Sequence, residues 1–448
     1  MRRVLLTVCT NTYFKSQLDL ATALTADGGL APVFYFPREY PELRAHVEQA
    51  SRLGFETHTR PQFLQTPNSE GFLVSKTLLT RIRHLLVRVG RRVKRNVSFQ
   101  IASSSVDFVR VLRRTSPTVI VLPAEGRYEQ NLLARLSQLW SIRVVVAPAW
   151  VEGPNELLKS GQYRLVRGLG LSITRMVNPR LIERDSLGRT VSRYGVAEAF
   201  VRRMLGILPS HPWELHSGFA REVAVESQAH ADFLTGQGIG GDRVTVTGSV
   251  SLDRIWFARQ REQGPTTQRL PRVLFAIPPD MSDSRPVPLP YVQMLRFVDQ
   301  VVSANIKCTF VATLHPTTRV EEIPVSLRDK WEISTGSTEE LIAGADAYIA
   351  SISATIAWAL AAGLPVVNWD YYDYGYRQFE RSSSVLHCGS PDSFVEAVQS
   401  LNRLLTNQEN CPANPGLGET GYWGLLDGQR GKAIAQYISR EQIGTAEP

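Results

Sequence analysis

A protein of two α/β domains, each built on a parallel sheet covered on both faces, is the architecture this sequence predicts. Three observations carry that expectation. Short, largely apolar runs such as Val4–Val8, Val144–Val146 and Arg272–Ile277 alternate with helix-favouring segments, the pattern of strands buried on both faces. The alternation breaks at Arg259–Gln268, a polar stretch with Gly264 and Pro265, and then restarts, which marks a linker. The stretch Gly344–Tyr376, GADAYIASISATIAWALAAGLPVVNWDYYDYGY, reads as a single strand–helix–strand unit of the kind that builds parallel sheets.

In chain order, Val4–Val8 is the first strand and Ser16–Ala26 a helix closed by Gly28-Gly29, followed by a strand at Pro32–Phe36 and a helix at Leu43–Leu53 that ends at Gly54. A basic helix follows around residues 78–97, then a helix at Val106–Arg113 and a strand at Thr118–Leu122 running into the turn Pro123-Ala124-Glu125-Gly126. Asn131–Trp140 is a helix, and Val144–Val146 a strand leading into a loop with Trp150, Glu152 and Gly153. The Arg-rich region Gly161–Arg203 shows no clear period. Glu222–Glu226 is a strand, Ser227–Thr235 a helix and Val244–Thr247 a strand. Beyond the linker come Arg272–Ile277 (strand), a loop with five prolines (Pro278–Pro290), Tyr291–Ser303 (helix) and Lys307–Leu314, a strand running directly into His315-Pro316. In the organising unit Ala347–Ala350 is a buried strand and Thr355–Ala362 an Ala-rich helix stopped by Gly363 and Pro365. Val366 and Val367 restart a strand ending in Asn368, Trp369 and Asp370; helices at Ser393–Leu405 and Gly431–Ser439 complete the chain.

At 448 residues with 43% hydrophobic and 21% charged content the chain has the make-up of a soluble globular protein with room for two or three domains. No run approaches the ~20 apolar residues that span a bilayer, and the first apolar run is broken by Thr and Asn after five residues. A cytoplasmic protein, peripheral at the inner membrane face, is therefore expected. Four cysteines without metal-ligand spacing argue against both a disulfide scaffold and a metal centre. The net charge of 50 − 42 = +8 is uneven, since no acidic residue occurs between Glu70 and Asp107. That gap holds Arg81, Arg83, Arg88, Arg91, Arg92, Lys94 and Arg95, with Leu78, Ile82, Leu85, Val89 and Val93 at helical spacing. Residues 78–97 thus read as a basic amphipathic helix suited to an anionic membrane surface. No nucleic-acid module accompanies the charge, and nucleic acid is not an expected partner.

Ligands of such sheets bind beyond the carboxyl ends of the strands, which singles out Glu125, Glu152, His315 and Ser351–Thr355. Ser351, Ser353 and Thr355 place hydroxyls at a helix start, and His315 with Arg319 four residues on adds donors for a phosphate oxygen. Neither the dinucleotide fingerprint nor the phosphate-loop pattern occurs, which disfavours dehydrogenase and P-loop chemistry. Glu125 and Glu152 each precede a glycine after a strand and are the candidate general bases; Glu152 is preferred because Trp150 and the neighbouring prolines stiffen its loop. Asp370 and Asp373, flanking Tyr371 and Tyr372, are the candidate donor-sugar contacts.

Four segments, VTVTGSVSLDRI (244–255), LHP (314–316), ADAYIASISATIAWALAAGLPVVNWD (345–370) and YWGLLDGQRGKAI (422–434), together resemble the GT-B superfamily of nucleotide-sugar transferases. The resemblance is to the bacterial surface-polysaccharide members: capsule glycosyltransferases, CMP-sugar sialyl- and Kdo-transferases and teichoic-acid glycerophosphotransferases. It implies two Rossmann-like domains facing a cleft, at residues 1–262 (acceptor side) and 263–427 (nucleotide side), with 428–448 packing back on the first. It further implies transfer of a sugar or polyol phosphate from a nucleotide-activated donor to a glycan or lipid-linked acceptor, without metal or other cofactor. His315, Pro316 and Ser353 would contact the nucleotide, and Glu125 or Glu152 would supply the base. Ala354 stands where a second serine is expected. VVVAPAWVEG (144–153) also resembles the strand and Glu-Ala-Gly turn of UDP-GlcNAc 2-epimerases, although their Asp-Ser-Gly-Gly turn is absent from 351–355. An epimerase is the alternative, and a non-catalytic protein of the same fold the third.

Overall fold

The computed structural model describes residues 2–26, 29–60, 97–125, 128–147, 163–185, 188–214, 216, 218–262, 269–281, 287–315, 318–334, 336–351, 353–375, 378–406 and 421–440. The basic segment 78–97 apart from its last residue, Gly126, Glu152 with its loop, and Pro316 lie outside them.

Two parallel sheets form the framework. The first holds β1 (Arg2–Thr7), β2 (Leu30–Phe36), β3 (Glu56–Thr59), β4 (Val119–Leu122), β5 (Arg143–Val146), β9 (Glu222–Val225) and β10 (Val244–Val246) in the order β10-β9-β5-β4-β1-β2-β3. The chain between β5 and β9 makes a small antiparallel sheet of β6 (Arg164–Leu165), β7 (Ile182–Arg184) and β8 (Thr190–Ser192). The second large sheet holds β11 (Arg272–Ile277), β12 (Thr309–Leu314), β13 (Glu332–Ser334), β14 (Ala347–Ala350), β15 (Val366–Trp369) and β16 (Val385–Cys388), ordered β13-β12-β11-β14-β15-β16. Every described pairing within the two large sheets is parallel. The expected pair of doubly wound α/β domains is therefore the observed architecture.

Burial explains the composition of the strands. Val4 and Leu6 face one core of the first sheet while Leu5 faces the other. In the second sheet Val273, Phe275 and Ile277 enter one core and Leu274 the opposite one. A strand covered on both faces has no solvent side to place polar residues on, hence the near-continuous apolar runs.

The last helix, Arg430–Ser439, crosses to the first sheet's core with Ile434, Ala435 and Ile438. Its two ends are satisfied by first-domain side chains and by the helix Val250–Glu262. Asp253 accepts from the backbone N–H of Arg430 (2.8 Å) and Gly431 (2.6 Å). Arg143 donates to the carbonyls of Ile438 (2.8 Å), Arg440 (2.9 Å) and Tyr437 (3.1 Å), and Glu222 braces its guanidinium from Nε at 2.7 Å. An acid at the N-terminus and a cation at the C-terminus satisfy orphan backbone groups and complement the helix dipole. The aspartate of the TGSVSLD segment thus serves the fold by anchoring the returning helix.

Several elements depart from the sequence expectation. The first helix begins at Asn11 rather than Ser16, and the second spans Leu43–Arg52. The helix before β4 covers Val97–Thr115, much longer than Val106–Arg113. The unplaced Arg-rich region contains helices Gly168–Val177 and Val196–Met204 around the small sheet. β3, β13 and β16 are short edge or near-edge strands whose apolar pattern is too weak to signal a strand.

Candidate functional site

In the second sheet the strand order reverses direction between β11 and β14, the place where ligands of doubly wound sheets bind. Two segments flank that switch. The Pro-rich loop follows β11 and is held by a tyrosine pair: Tyr371 donates to the Leu289 carbonyl (2.5 Å), and Tyr372 donates to the Pro279 carbonyl and accepts from Met281 N–H (3.2 Å). Ser351 follows β14, and its hydroxyl is buried with no hydrogen-bond partner among the described residues.

The helix after β14 runs Thr355–Ala361, one residue shorter than expected, and Ala354, in helical conformation, occupies its cap position. Ser353 is therefore not the N-cap residue. Its hydroxyl accepts from Thr355 N–H (3.3 Å) and pairs with Thr355 Oγ1 (2.6 Å), which also meets the Tyr348 hydroxyl. The result is a chain of three hydroxyls along the carboxyl edge of β14. His315 leaves β12 on the far side of β11, two strand spacings away, or roughly 10 Å; its carbonyl closes a turn with Thr318 N–H (2.8 Å). The His315 residue is exposed, yet enough protein surrounds the imidazole that desolvation lowers its pKa and keeps it neutral near pH 7. Arg319 is exposed at the start of the short turn Val320–Glu322.

Asp370 and Asp373, the expected donor-sugar contacts, lie in the turn after β15. The Asp370 carboxylate accepts from Tyr374 N–H (2.8 Å) and Gly375 N–H (2.7 Å), closing its own turn, while Asp373 is exposed in the left-handed region at φ 50°.

In the first sheet, Glu125 follows β4 but is completely covered. One oxygen accepts from Ala220 N–H (2.6 Å), and Arg243 stands 3.7 Å from the other. Burial raises its pKa, against the Ala220 N–H bond and the charge of Arg243. Gly218 packs so tightly over the Glu125 and Asn131 side chains that no Cβ fits there. Both polar atoms of the Asn131 amide and Glu125 Oε2 have no hydrogen-bond partner among the described residues.

A third acid is not singled out by the sequence. Glu226 directly follows β9 and is buried. Its Oε2 accepts from Ser249 Oγ (3.0 Å), where the chain leaves β10 for the second domain, and from Trp358 Nε1 (3.2 Å), on the second domain's Thr355–Ala361 helix. Oε1 has no partner among the described residues. Desolvation outweighs both hydrogen bonds and raises the pKa from 4.5 to about 7. Trp358 lies three residues after Thr355 on that helix, so Glu226 is tied to the helix that carries the end of the hydroxyl chain, where the domains meet. Nearby on the Gln228–Gly236 helix, the His230 ring is buried 6.3 Å from His216, and its pKa is lowered to about 3 by burial and by that neighbour. The available signal for Glu226 is an acid ending an apolar strand just before a serine cap, Ala224-Val225-Glu226-Ser227; requiring a following glycine excludes it.

A second interdomain network lies around Glu339, at the start of the Thr338–Ala343 helix. It accepts from Ser337 (2.6 Å), Lys15 (3.2 Å) and Ser251 (3.3 Å). Arg254 approaches it at 3.9 Å and also meets Asp19, whose pKa burial raises to about 6. Among the described residues there is no cluster of three or more His, Cys, Asp or Glu able to hold a metal ion, and no helix long and apolar enough to cross a membrane.

Two parallel α/β domains, each doubly wound, and a C-terminal helix returning to the first domain define a GT-B architecture, and comparison with solved structures agrees. UDP-GlcNAc 2-epimerase from Neisseria meningitidis, determined with UDP-GlcNAc, superposes with a TM-score of 0.55 at 10% identity, over 98% of this chain and 99% of that one. The epimerase from Methanocaldococcus jannaschii, in complex with UDP-GlcNAc and UDP, gives 0.51 at 11% identity over 98% and 99%. The glycosyltransferase of kitacinnamycin gives 0.52 at 12% identity over 97% and 98%. At such identities the similarity establishes the fold. No family model and no curated protein matches the sequence.

Proposed function

We propose that this chain is an enzyme acting on a nucleotide-activated sugar, with the nucleotide at the carboxyl edge of the second sheet and the sugar between the domains. The observation that carries the reading is Glu226. It is a buried carboxyl at the domain junction, with one oxygen fixed by both domains and the other unpartnered among the described residues, and it is bonded to the helix whose first residue, Thr355, belongs to the hydroxyl chain. A carboxyl with a pKa of about 7 holds and releases a proton with equal ease near neutrality, which suits either removing a sugar C–H proton or deprotonating an acceptor hydroxyl. His315, Arg319, Ser351, Ser353 and Thr355 are the proposed nucleotide contacts. Of the acids that follow first-sheet strands, we assign proton transfer to Glu226 over Glu152 and Glu125, because Glu125 is already committed to the backbone of Ala220.

Epimerisation at C2 of a UDP-sugar is the first reading, supported by the epimerases among the structural neighbours. Transfer to a surface-polysaccharide acceptor is the second, supported by the glycosyltransferase neighbour and by the missing Asp-Ser-Gly-Gly turn. Proton NMR of UDP-GlcNAc and other nucleotide sugars incubated with the full chain separates the two. An epimerase generates a second nucleotide sugar with no acceptor present. A transferase leaves the donor intact until an acceptor is added and then releases nucleotide. Turnover of Glu226→Gln and Glu152→Gln, measured in parallel, identifies the acid; about 10²–10⁴-fold loss is expected for the one that transfers the proton. If no nucleotide sugar is bound or converted, the enzymatic reading fails in favour of a non-catalytic protein of this fold.

A further inference from the structure

Residues 163–208, between β5 and β9, have an inverted surface. The buried residues that join the helices Gly168–Val177 and Val196–Met204 are few and mostly modest in size: Val177, Leu181, Tyr194 and Ala199. The large apolar side chains point outward instead. Leu169, Met176 and Met204 are 76%, 72% and 71% exposed, and Leu165, Phe200 and Leu205 about half. Leu169 and Met176 are two helical turns apart, and Phe200 and Met204 one turn, so each helix presents an apolar stripe to solvent. An open groove of about 440 Å³ between Met176, Pro179, Arg203 and Leu208 continues this surface.

Charge accompanies the stripe. The segment contains nine arginines and three acids (9 − 3 = +6), most of the chain's net +8, and no lysine. Two of the acids are neutralised locally: Asp185 by Arg189 (2.7 Å) and Glu198 by Arg202 (2.9 Å). Arg167, Arg175, Arg180 and Arg184 remain exposed around the apolar side chains.

We propose that this insert is a docking surface for an anionic lipid bilayer: the apolar stripes enter the interface and the arginines contact lipid phosphates. A second copy of the chain fits less well. A two-fold interface would set this arginine-rich patch against itself, and like charges facing each other oppose association.

The test is co-sedimentation of the full chain with phosphatidylcholine vesicles with and without about 30 mol% phosphatidylglycerol, at ~0.1 M and ~0.5 M salt. Binding is expected to the anionic vesicles only and to weaken with salt. Leu169→Glu/Met204→Glu and Arg167→Glu/Arg175→Glu should each lower the partition coefficient at least tenfold with an unchanged melting midpoint, as all four residues are exposed. Arg91→Glu/Arg92→Glu, outside the insert, should leave most of the binding in place. Three results would overturn the proposal: no binding to anionic vesicles, binding lost only through Arg91/Arg92, or a solution dimer that Leu169→Glu/Met204→Glu converts to monomer.

Discussion

Replacing Glu226 by glutamine should stabilise the protein, and only above the ordinary carboxylate range. Glutamine keeps a carbonyl oxygen for Ser249 and Trp358 to donate to but cannot ionise. In the wild type the carboxyl is buried and its pKa raised from 4.5 to about 7. Below the lower value both folded and unfolded chains are protonated, and the substitution is nearly neutral. Between the two values the unfolded chain releases a proton that the folded chain retains, so wild-type stability falls as pH rises. Above about 7 the folded carboxyl ionises and the full cost is present. The interval of 7 − 4.5, at about 1.4 kcal/mol per decade of proton affinity, sets an upper figure of about 3–4 kcal/mol. For domains of this size it corresponds to a melting-point gain on the order of 5–10 °C. The assay is thermal unfolding of both proteins at about pH 4 and about pH 8, comparing the difference between proteins at each pH so that other titrations cancel. The variant should melt higher than wild type at the upper pH and with it at the lower. An equal difference at both pH values would show that Glu226 ionises as an ordinary surface acid and would refute the reasoning.

Two further outcomes follow from the same geometry. Trp358→Phe removes the hydrogen bond that favours the Glu226 carboxylate, so the ascending limb of the kcat/KM–pH profile should move to higher pH; an unmoved limb would separate this carboxyl from the reaction. Gly218→Ala forces a methyl against the Glu125 and Asn131 side chains and should cost roughly 1–3 kcal/mol, read as a melting point lower by several degrees; an unchanged melting point would show that the 218–220 loop relaxes freely.

The two-sheet architecture is legible in the sequence because burial on both faces leaves a conspicuous mark, in β4 (Val119–Leu122) and β14 (Ala347–Ala350) above all. β3 and β13 escape notice because strands at a sheet edge need fewer apolar residues. The insert is unreadable for another reason: its helices Gly168–Val177 and Val196–Met204 are short, and their large apolar residues face outward, so an apolar stripe there does not mark a core face. The site is only partly legible. Positions just beyond strand ends can be read from pattern, which is what brings Ser351 and His315 to notice. Whether such a residue is free to act depends on what lies over it. Glu125 and Asp370 both prove to hold backbone N–H groups, and nothing local to Glu125 announces a partner 95 positions away at Ala220. Glu226 meets a partner equally invisible to local pattern, Trp358, 132 positions distant and in the other domain.

The most direct test of the central claim is calorimetric titration of the full chain with UDP, CDP, CMP and GDP, repeated for His315→Ala. At least one of these should bind with one-to-one stoichiometry, and the substitution should weaken it roughly tenfold or more, from the loss of a contact worth about 1.5–3 kcal/mol. Unchanged affinity in the variant would remove His315 from the site. No binding of any of the four to the wild-type chain would contradict the nucleotide-sugar reading itself.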